Sequence, residues 1–545
     1  MSVKKYGIYL AYPPSVDLRA EGLGRHLAEF LKGAQERDNV CFVVACPSWT
    51  RQSLQQLCSE ADVDPETFET ISPRSKPLLL RAYEGYLKIK QRRISRGKFR
   101  ALLKRLHVFL DNLSLLIEKK LVGMRSLTLG ILLGIIFLPF LLMFGIFRGI
   151  ILVVSKIFSF GKKVGQIMLK NSKVQSYRRR QQQILREPKQ NSRVVRLYRY
   201  MEEAESAILR RLIERRQDVI AWYCPTAFWP HFNEISAPRL MCVPDVVLGD
   251  FPVGFAGVGG ERFLENFRQV EEAIRGGEYF VTYSKHVMWN TLVKRYSVNP
   301  NNVYVVPHGA NRLDELVVAS GCPFNDSVTN QLCQSLFRGA LSKVVNHPNA
   351  KIFGSGNVRF IFYASQFRPN KNVISLLRAY NHLLKRRYIG LKLVLTGNPK
   401  TTPEIISFIN ENNLENDVLC LHGLTAQELA ACYRLADLAV NPSLSEGGCP
   451  FTFAEAISVG TPVVMARIPV TEEVMVDPEL NSDMLFNPYD YRDIADRIEW
   501  ALENKGELYK RQRKFFEEVV GKRTWRNVVD DYINILDEIA ESRGK

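Results

Sequence analysis

Residues 441–464, NPSLSEGGCPFTFAEAISVGTPVV, crowd two carboxylates and a pair of glycines into one short stretch. An apolar run from Leu438 to Val440 leads into Glu446, Gly447 and Gly448. An apolar segment carrying Glu455 follows, and Gly460-Thr461-Pro462 restarts an apolar run. The pattern predicts strand, turn, helix, strand, which is how an open α/β sheet forms a ligand crevice beyond the carboxyl ends of its strands. Gly447 and Gly448 would let the backbone approach a bound group closely, and the amides opening the next helix favour an anion. Glu446 and Glu455 can accept hydroxyl donors from a polyhydroxylated ligand such as a sugar or a ribose. The plain alternative is an ordinary strand-turn-helix with solvated glutamates.

Two cations point at the same crevice. Residues 365–372 read SQFRPNKN after another apolar run, so Arg368 and Lys371 fall at a strand's carboxyl end ahead of a helix. Two cations and a helix N-terminus around one gap suit a diphosphate, above all one gaining charge as a leaving group. Gly397-Asn398 offers a second close-approach turn, and Gly22 and Gly24, opening a helix near the N-terminus, could admit a phosphate or sugar to the backbone. No metal site is expected. The Asp62-Val-Asp64 pair follows no strand and reads as a solvated loop, and the eight histidines include no His-x-x-x-His pair. His26 and His308 fall at the ends of elements facing the crevice, where a plain hydrogen-bonded role is expected of each.

The elements that must position these residues follow from periodicity. Apolar runs near 6–12, 40–46, 219–224, 239–243, 279–283 and 303–306 read as strands of one sheet. From 357 onward strands at 359–363, 391–396, 418–421, 437–440 and 462–465 alternate with helices at 372–388, 403–412, 425–435 and 452–458. Such alternation makes a parallel sheet wrapped by helices on both faces. The predicted organisation is a first α/β domain over 1–310 interrupted by a helical insertion at 52–215, a linker at 311–356, a second α/β domain over 357–522, and a closing helix at 523–545.

At 545 residues the chain exceeds a single core. Its ten cysteines, without Cys-x-x-Cys spacing, suit a reduced setting. The net charge of +18 is local: residues 81–125 hold 13 Lys/Arg against 3 Asp/Glu and residues 156–216 hold 17 against 5, while the remainder carries 44 against 48. Nucleic acid is not an expected partner, because these basic blocks lack aromatic stacking platforms. They bracket 22 uncharged residues, 126–147, SLTLGILLGIIFLPFLLMFGIF. Strands of one sheet cannot lie on both sides of a membrane, and 127–158 is shorter than the roughly 40 residues two crossings need. A re-entrant or interfacial helical hairpin at 126–158 meets both limits, with a buried hairpin as the alternative. Basic flanks on both sides suit an anionic membrane surface on the cytoplasmic face, hence a peripheral or monotopic location at the inner face of the cell membrane.

These motifs carry a resemblance. PNKN at 369–372, LHGLTAQELAACY at 421–433, Ala436-Asp437-Leu438, Pro442-Ser443, Glu446-Gly447, Glu455-Ala456 and Gly460-Thr461-Pro462 resemble family-four glycosyltransferases of the GT-B fold. The resemblance is fainter over 1–50 and 219–310, where VTYS at 281–284 and VYVVPHG at 303–309 match, and it is absent over 60–215. It implies two facing Rossmann-like domains and transfer of a hexose, with retention at the anomeric carbon, from a nucleotide sugar without an essential metal. Together with the membrane segment it implies a lipid-linked or membrane-presented glycan acceptor in surface polysaccharide assembly. By the same resemblance Glu455 would hold the donor ribose, Glu446 with the 447–448 amides the sugar, and Lys371 with Arg368 the leaving diphosphate.

The chain departs from the family in three places. Glu446 and Glu455 are separated by one residue more than is usual, the family's glycine-arginine pair is replaced around Ala364-Ser365-Gln366, and Pro244-Asp245 stands where many members have His-Asp. Asp245 is the remaining candidate base, or it caps a turn. A transferase-like scaffold or sensor that binds nucleotide sugar without turnover is therefore the alternative reading.

Overall fold

The computed structural model describes residues 3–92, 193–344, 353 and 358–544, apart from residues 15, 21, 260, 323, 324, 400 and 401. The expected hairpin at 126–158 and most of its basic flanks lie outside the described residues. No described helix is long and apolar enough to cross a membrane.

The N-terminal domain begins β1 (Lys4–Tyr9), α1 (Gly22–Ala34), β2 (Val40–Ala45), α2 (Arg51–Glu60), β3 (Phe68–Ile71) and α3 (Leu78–Arg92). It resumes with α4 (Arg193–Glu214), β4 (Val219–Cys224), β5 (Arg239–Cys242), α5 (Val247–Asp250), α6 (Pro252–Gly259), α7 (Glu261–Gly276), β6 (Tyr279–Thr282) and β7 (Val303–Val305). Its sheet has the order β3-β2-β1-β4-β5-β6-β7, with every pairing parallel. Order reverses between β1 and β4, the switch point of a doubly wound sheet. At that seam Gly7 pairs with Trp222, and a Cβ on Gly7 would lie 2.1 Å from the indole. Glycine is what lets the buried Trp222 ring lie across β1.

The C-terminal domain runs α8 (Asp326–Ser342), β8 (Phe360–Tyr363), α9 (Val373–Arg386), β9 (Lys392–Leu395), α10 (Pro403–Glu411), β10 (Val418–Cys420), α11 (Ala426–Leu435), β11 (Leu438–Asn441), α12 (Phe451–Ser458) and β12 (Val463–Ala466). It continues through α13 (Pro469–Val474), α14 (Pro478–Met484), β13 (Leu485–Phe486), α15 (Tyr491–Glu503) and α16 (Lys505–Glu518). The sheet order is β10-β9-β8-β11-β12-β13, again all parallel. FIFY of β8 and LAVN of β11 are buried throughout, as strands covered by helices on both faces must be.

The final helix, α17 (Trp525–Gly544), crosses back to the N-terminal domain, where Trp525, Val528, Val529, Tyr532, Leu536 and Ile539 join the core around β1 and β4. The two interdomain passages are clipped together. The Ala310 amide donates to the Arg523 carbonyl at 2.9 Å, Arg523 Nε to the Pro307 carbonyl at 2.8 Å, and Trp525 Nε1 to Asn311 Oδ1 at 3.1 Å. Two facing α/β domains with this crossing-back helix are the GT-B architecture.

Two expected boundaries shift. The stretch 52–215 is not all insertion, because α2 and β3 lie inside it and β3 forms the sheet's edge strand. The stretch 311–356 is more than a linker: α8 packs on α11, with Cys333, Phe337, Ala340 and Leu341 in the C-terminal core.

Candidate active site

β8 and β11 flank the switch point of the C-terminal sheet, and the candidate residues stand on the loops leaving their carboxyl ends. The β8 loop ends in a tight turn, Pro369–Lys371, and then Asn372, whose φ of +53° breaks the chain direction before α9. Asparagine is among the few non-glycine residues that hold that conformation readily. Its Nδ2 donates to the Pro442 and Pro488 carbonyls at 3.1 and 2.8 Å. Asn370 ties the two loops directly, accepting from the Leu444 amide at 2.8 Å and donating to the Ser445 carbonyl at 3.1 Å. The side chains on either side of this stitch are thereby brought face to face. Lys371 Nζ donates to Glu446 Oε1 at 2.5 Å, with both side chains about four-fifths buried (21% and 16% exposed).

Four of the sequence-derived candidates gather here. Burial works to lower the Lys371 ammonium, but the charges of Glu446, Tyr363 and Asp245 outweigh it, and its pKa stands above the ordinary lysine value. Asp245, at the carboxyl end of β5 on the opposite domain, is raised by burial and then by Glu446, while Lys371, Arg368 and the Val247 amide pull it back. Asp245 lies just ahead of α5, whose N-cap, Val246, makes no side-chain capping bond, and it faces the charged pair across the cleft. Arg368 is exposed at the rim, its Nη2 donating to Gln366 Oε1 at 2.7 Å.

The glycines divide. A Cβ on Gly447 would lie 2.0 Å from the Pro244 carbonyl oxygen, and one on Gly448 would lie 2.9 Å from Tyr283 Cβ. Both are buried against the N-terminal domain, and Ser284 Oγ donates to the Gly447 carbonyl at 2.9 Å. Close approach is what these glycines permit, with the facing domain as the partner. Gly397 is buried as well, making room for the Phe367 ring at 2.1 Å from its would-be Cβ, so it presents no open turn to a ligand; Asn398 beside it is exposed. Gly24 is pressed on the Leu18 carbonyl at 1.9 Å, whereas Gly22 has open space at the start of α1. Of these two, only Gly22 leaves the backbone accessible.

Glu455 is 2% exposed on α12, and Arg25 Nη1 reaches it from the first turn of α1 at 3.1 Å. Arg25 was missed in sequence; its only signal was its place directly after Gly22-Leu-Gly24. A second cross-domain clasp was also missed. Glu473 on α13 accepts the backbone amides of Lys285 at 2.8 Å and His286 at 3.1 Å, the free donors opening the helical stretch 285–296 between β6 and β7. Its carboxylate complements the positive end of that helix.

His26 and His308 depart from expectation. They pack with Tyr283, Phe451 and Trp525, the Tyr283 and His308 ring centroids being 3.8 Å apart. His26 Nε2 and His308 Nδ1 have no hydrogen-bond partner among the described residues. Burial drives His26 down to about 4 and His308 well below its ordinary value, so both are neutral packing groups. Among the described residues no group of three His, Cys, Asp or Glu is placed to hold a metal.

Comparison with known proteins follows this geometry. Residues 349–518 match the family described as glycosyl transferases group 1. The chain is 28% identical over 233 residues to an MMP alpha-(1->4)-mannosyltransferase of Mycolicibacterium hassiacum, covering 42% of this chain and 55% of that protein. It is 31% identical over 192 residues to the serotype-specific mannosyltransferase WbdA of Escherichia coli, covering 34% and 23%. The chain thus spans about half, or less, of the length of these relatives. The crystal structure of Anabaena HepE in complex with UDP and glucose superposes with a TM-score of 0.52 at 12% identity, covering 98% of this chain and all of that one. Residues 349–518, set in a GT-B framework, are thus the part of the chain that matches the group 1 glycosyl transferases.

Proposed function

We propose that the chain is a retaining glycosyltransferase that moves a hexose from a nucleotide sugar to a lipid-linked or membrane-presented glycan in surface polysaccharide assembly. The observation that carries this reading is the Lys371–Glu446 pair at the switch point of one domain, facing Asp245 of the other. A ligand between the domains would meet cations on one side and a carboxylate on the other. Cleavage of a glycosyl–diphosphate bond leaves negative charge on the diphosphate. Lys371, held protonated by its carboxylate neighbours, with Arg368 at the rim, would stabilise that charge, a role worth about 2.7–4 kcal/mol for one well-placed donor. Glu446 orients Lys371 and can accept sugar hydroxyls, and Glu455 stands behind Arg25 as the partner for the donor ribose. With two cations assigned to the leaving group, transfer is expected to persist in EDTA. Both cited relatives are mannosyltransferases, which makes a mannosyl nucleotide the first donor to try. We place the enzyme at the inner face of the cell membrane, where residues 126–158 and their basic flanks would meet anionic lipid.

The test is a panel of labelled nucleotide sugars incubated with native membranes, the product being analysed by mass. Lys371→Ala and Glu446→Ala should each lower transfer about 100- to 1,000-fold with unchanged circular dichroism. Wild-type rates in both variants would sink the assignment. Donor binding without turnover on any membrane extract would favour the sensor reading instead.

A further inference from the structure

The N-terminal lip of the cleft carries an apolar surface that the transfer chemistry does not use. α6, PVGFAGVG, has no polar side chain. Val253 is 85% exposed, and Leu264, at the start of α7, is 51% exposed. The helix is anchored from beneath. Phe255 stacks on Phe263 at 6.5 Å, Phe263 stacks on Phe267 at 6.1 Å, and Phe255 packs against the domain core. It also adjoins the charged pair, since a Cβ on Gly254 would come within 2.8 Å of Pro369 Cβ, two residues before Lys371. Val253 and Leu264 thus leave exposed apolar side chains beside a polar cleft, where an interaction surface would lie.

The occupant follows from where the insertion rejoins the fold. Residues 93–192 lead directly into α4, and Arg199 of α4 pairs with Glu265 of α7 at 3.9 Å, one residue from Leu264. Arg193 is about 9 Å further along that helix. The chain that carries the 22 uncharged residues and their basic flanks therefore enters the domain on the α6–α7 side. Exposed apolar side chains near the point where a stretch of basic and lipid-like sequence rejoins the fold match a bilayer whose headgroups are anionic.

We infer that α6 and Leu264 form a bilayer-contact surface that sets the cleft mouth against the headgroups, so that a lipid-presented acceptor reaches Asp245 without leaving the membrane. The acceptor half of this statement rests on the transferase reading; the contact itself does not. The test uses the full chain with Val253→Trp and vesicles of phosphatidylcholine with phosphatidylglycerol as the minor lipid, prepared with and without brominated acyl chains. Relative to wild type, the added indole should shift to the blue on vesicles and lose roughly half its emission to brominated lipid, as a side chain at the headgroup boundary does. No added quenching overturns the inference. A blue-shifted emission already present without vesicles and indifferent to them also overturns it, assigning the surface to the chain's own insertion. A shift that follows protein concentration overturns it in favour of a second copy. No sugar transfer is read, so an inactive wild-type chain would defeat the transferase reading and leave this result standing.

Discussion

Gly447→Ala separates domain closure from folding. The added methyl would lie 2.0 Å from the Pro244 carbonyl oxygen and 2.7 Å from its carbon, and ordinary contact begins near 3.4 Å. The obstacle is backbone of the other domain, so no side-chain rotation relieves it. The glycine loop, or the whole domain, must withdraw by about 1.4 Å. That withdrawal strains or breaks the buried Ser284–Gly447 hydrogen bond and moves Asp245 away from Glu446 and Lys371. Overpacking of this kind costs about 1–3 kcal/mol. Because it falls between domains rather than within either core, it is paid by the closed arrangement alone. A penalty of that size lowers the closed population about 5- to 150-fold relative to the open one. Transfer kcat/KM should fall within that range, the small-angle scattering radius should rise, and each domain's unfolding midpoint should hold. Gly506→Ala on α16, whose methyl would enter open space, is the control expected to match wild type. Unchanged kcat/KM and scattering in Gly447→Ala would refute the assignment of this closed arrangement to catalysis.

Three further outcomes follow from the same contacts. Arg25→Met leaves the Glu455 carboxylate, 2% exposed, without its cation; removing a charged hydrogen-bond partner costs about 1.5–3 kcal/mol, and a double-mutant cycle with Glu455→Gln should recover most of it, zero coupling being the contrary result. His26 is neutral in the fold with a pKa of about 4 against an ordinary 6.5, so the unfolded chain binds more protons in between; stability is full above 6.5 and falls as pH drops toward 4, by at most about 1.4 kcal/mol per pH unit. The raised carboxyls Asp245 and Glu29 act with the opposite sign, so the quantity to measure is the difference between wild type and His26→Leu in urea midpoint from pH 7 to 5, which should narrow as pH falls. Gly7→Ala drives a methyl into the Trp222 ring at 2.1 Å and should destabilise the N-terminal domain by about 1–3 kcal/mol or more in chemical denaturation, with equal stability counting against the packing argument.

What could be read in sequence was local. Strands of the C-terminal domain stand out because a parallel strand buried on both faces is a continuous apolar run, and FIFY and LAVN are such runs. β3 escaped because FETI, at the sheet edge, is only partly buried and carries Glu69 among its four residues. α8 is marked locally only by its cap, Asn325 Oδ1 accepting the Ser327 and Val328 amides, ahead of a mostly polar helix.

At the site, residue types and their placement after strands sufficed to single out Lys371, Arg368 and Glu446, because a strand's carboxyl end is a fixed address in an α/β sheet, whereas Asp245 came only from the resemblance. Partners were another matter. Arg25 meets Glu455 across 430 positions of chain and Ser284 meets Gly447 across 163, separations at which no local periodicity carries information. Sequence alone thus determined which residues could hold a charged, polyhydroxylated ligand and which elements would carry them. Only the tertiary structure decided that Gly447 and Gly448 make room for the facing domain and that Arg25 answers Glu455, because both depend on how two separately formed sheets are docked by the hinge at 307–311 and the returning helix.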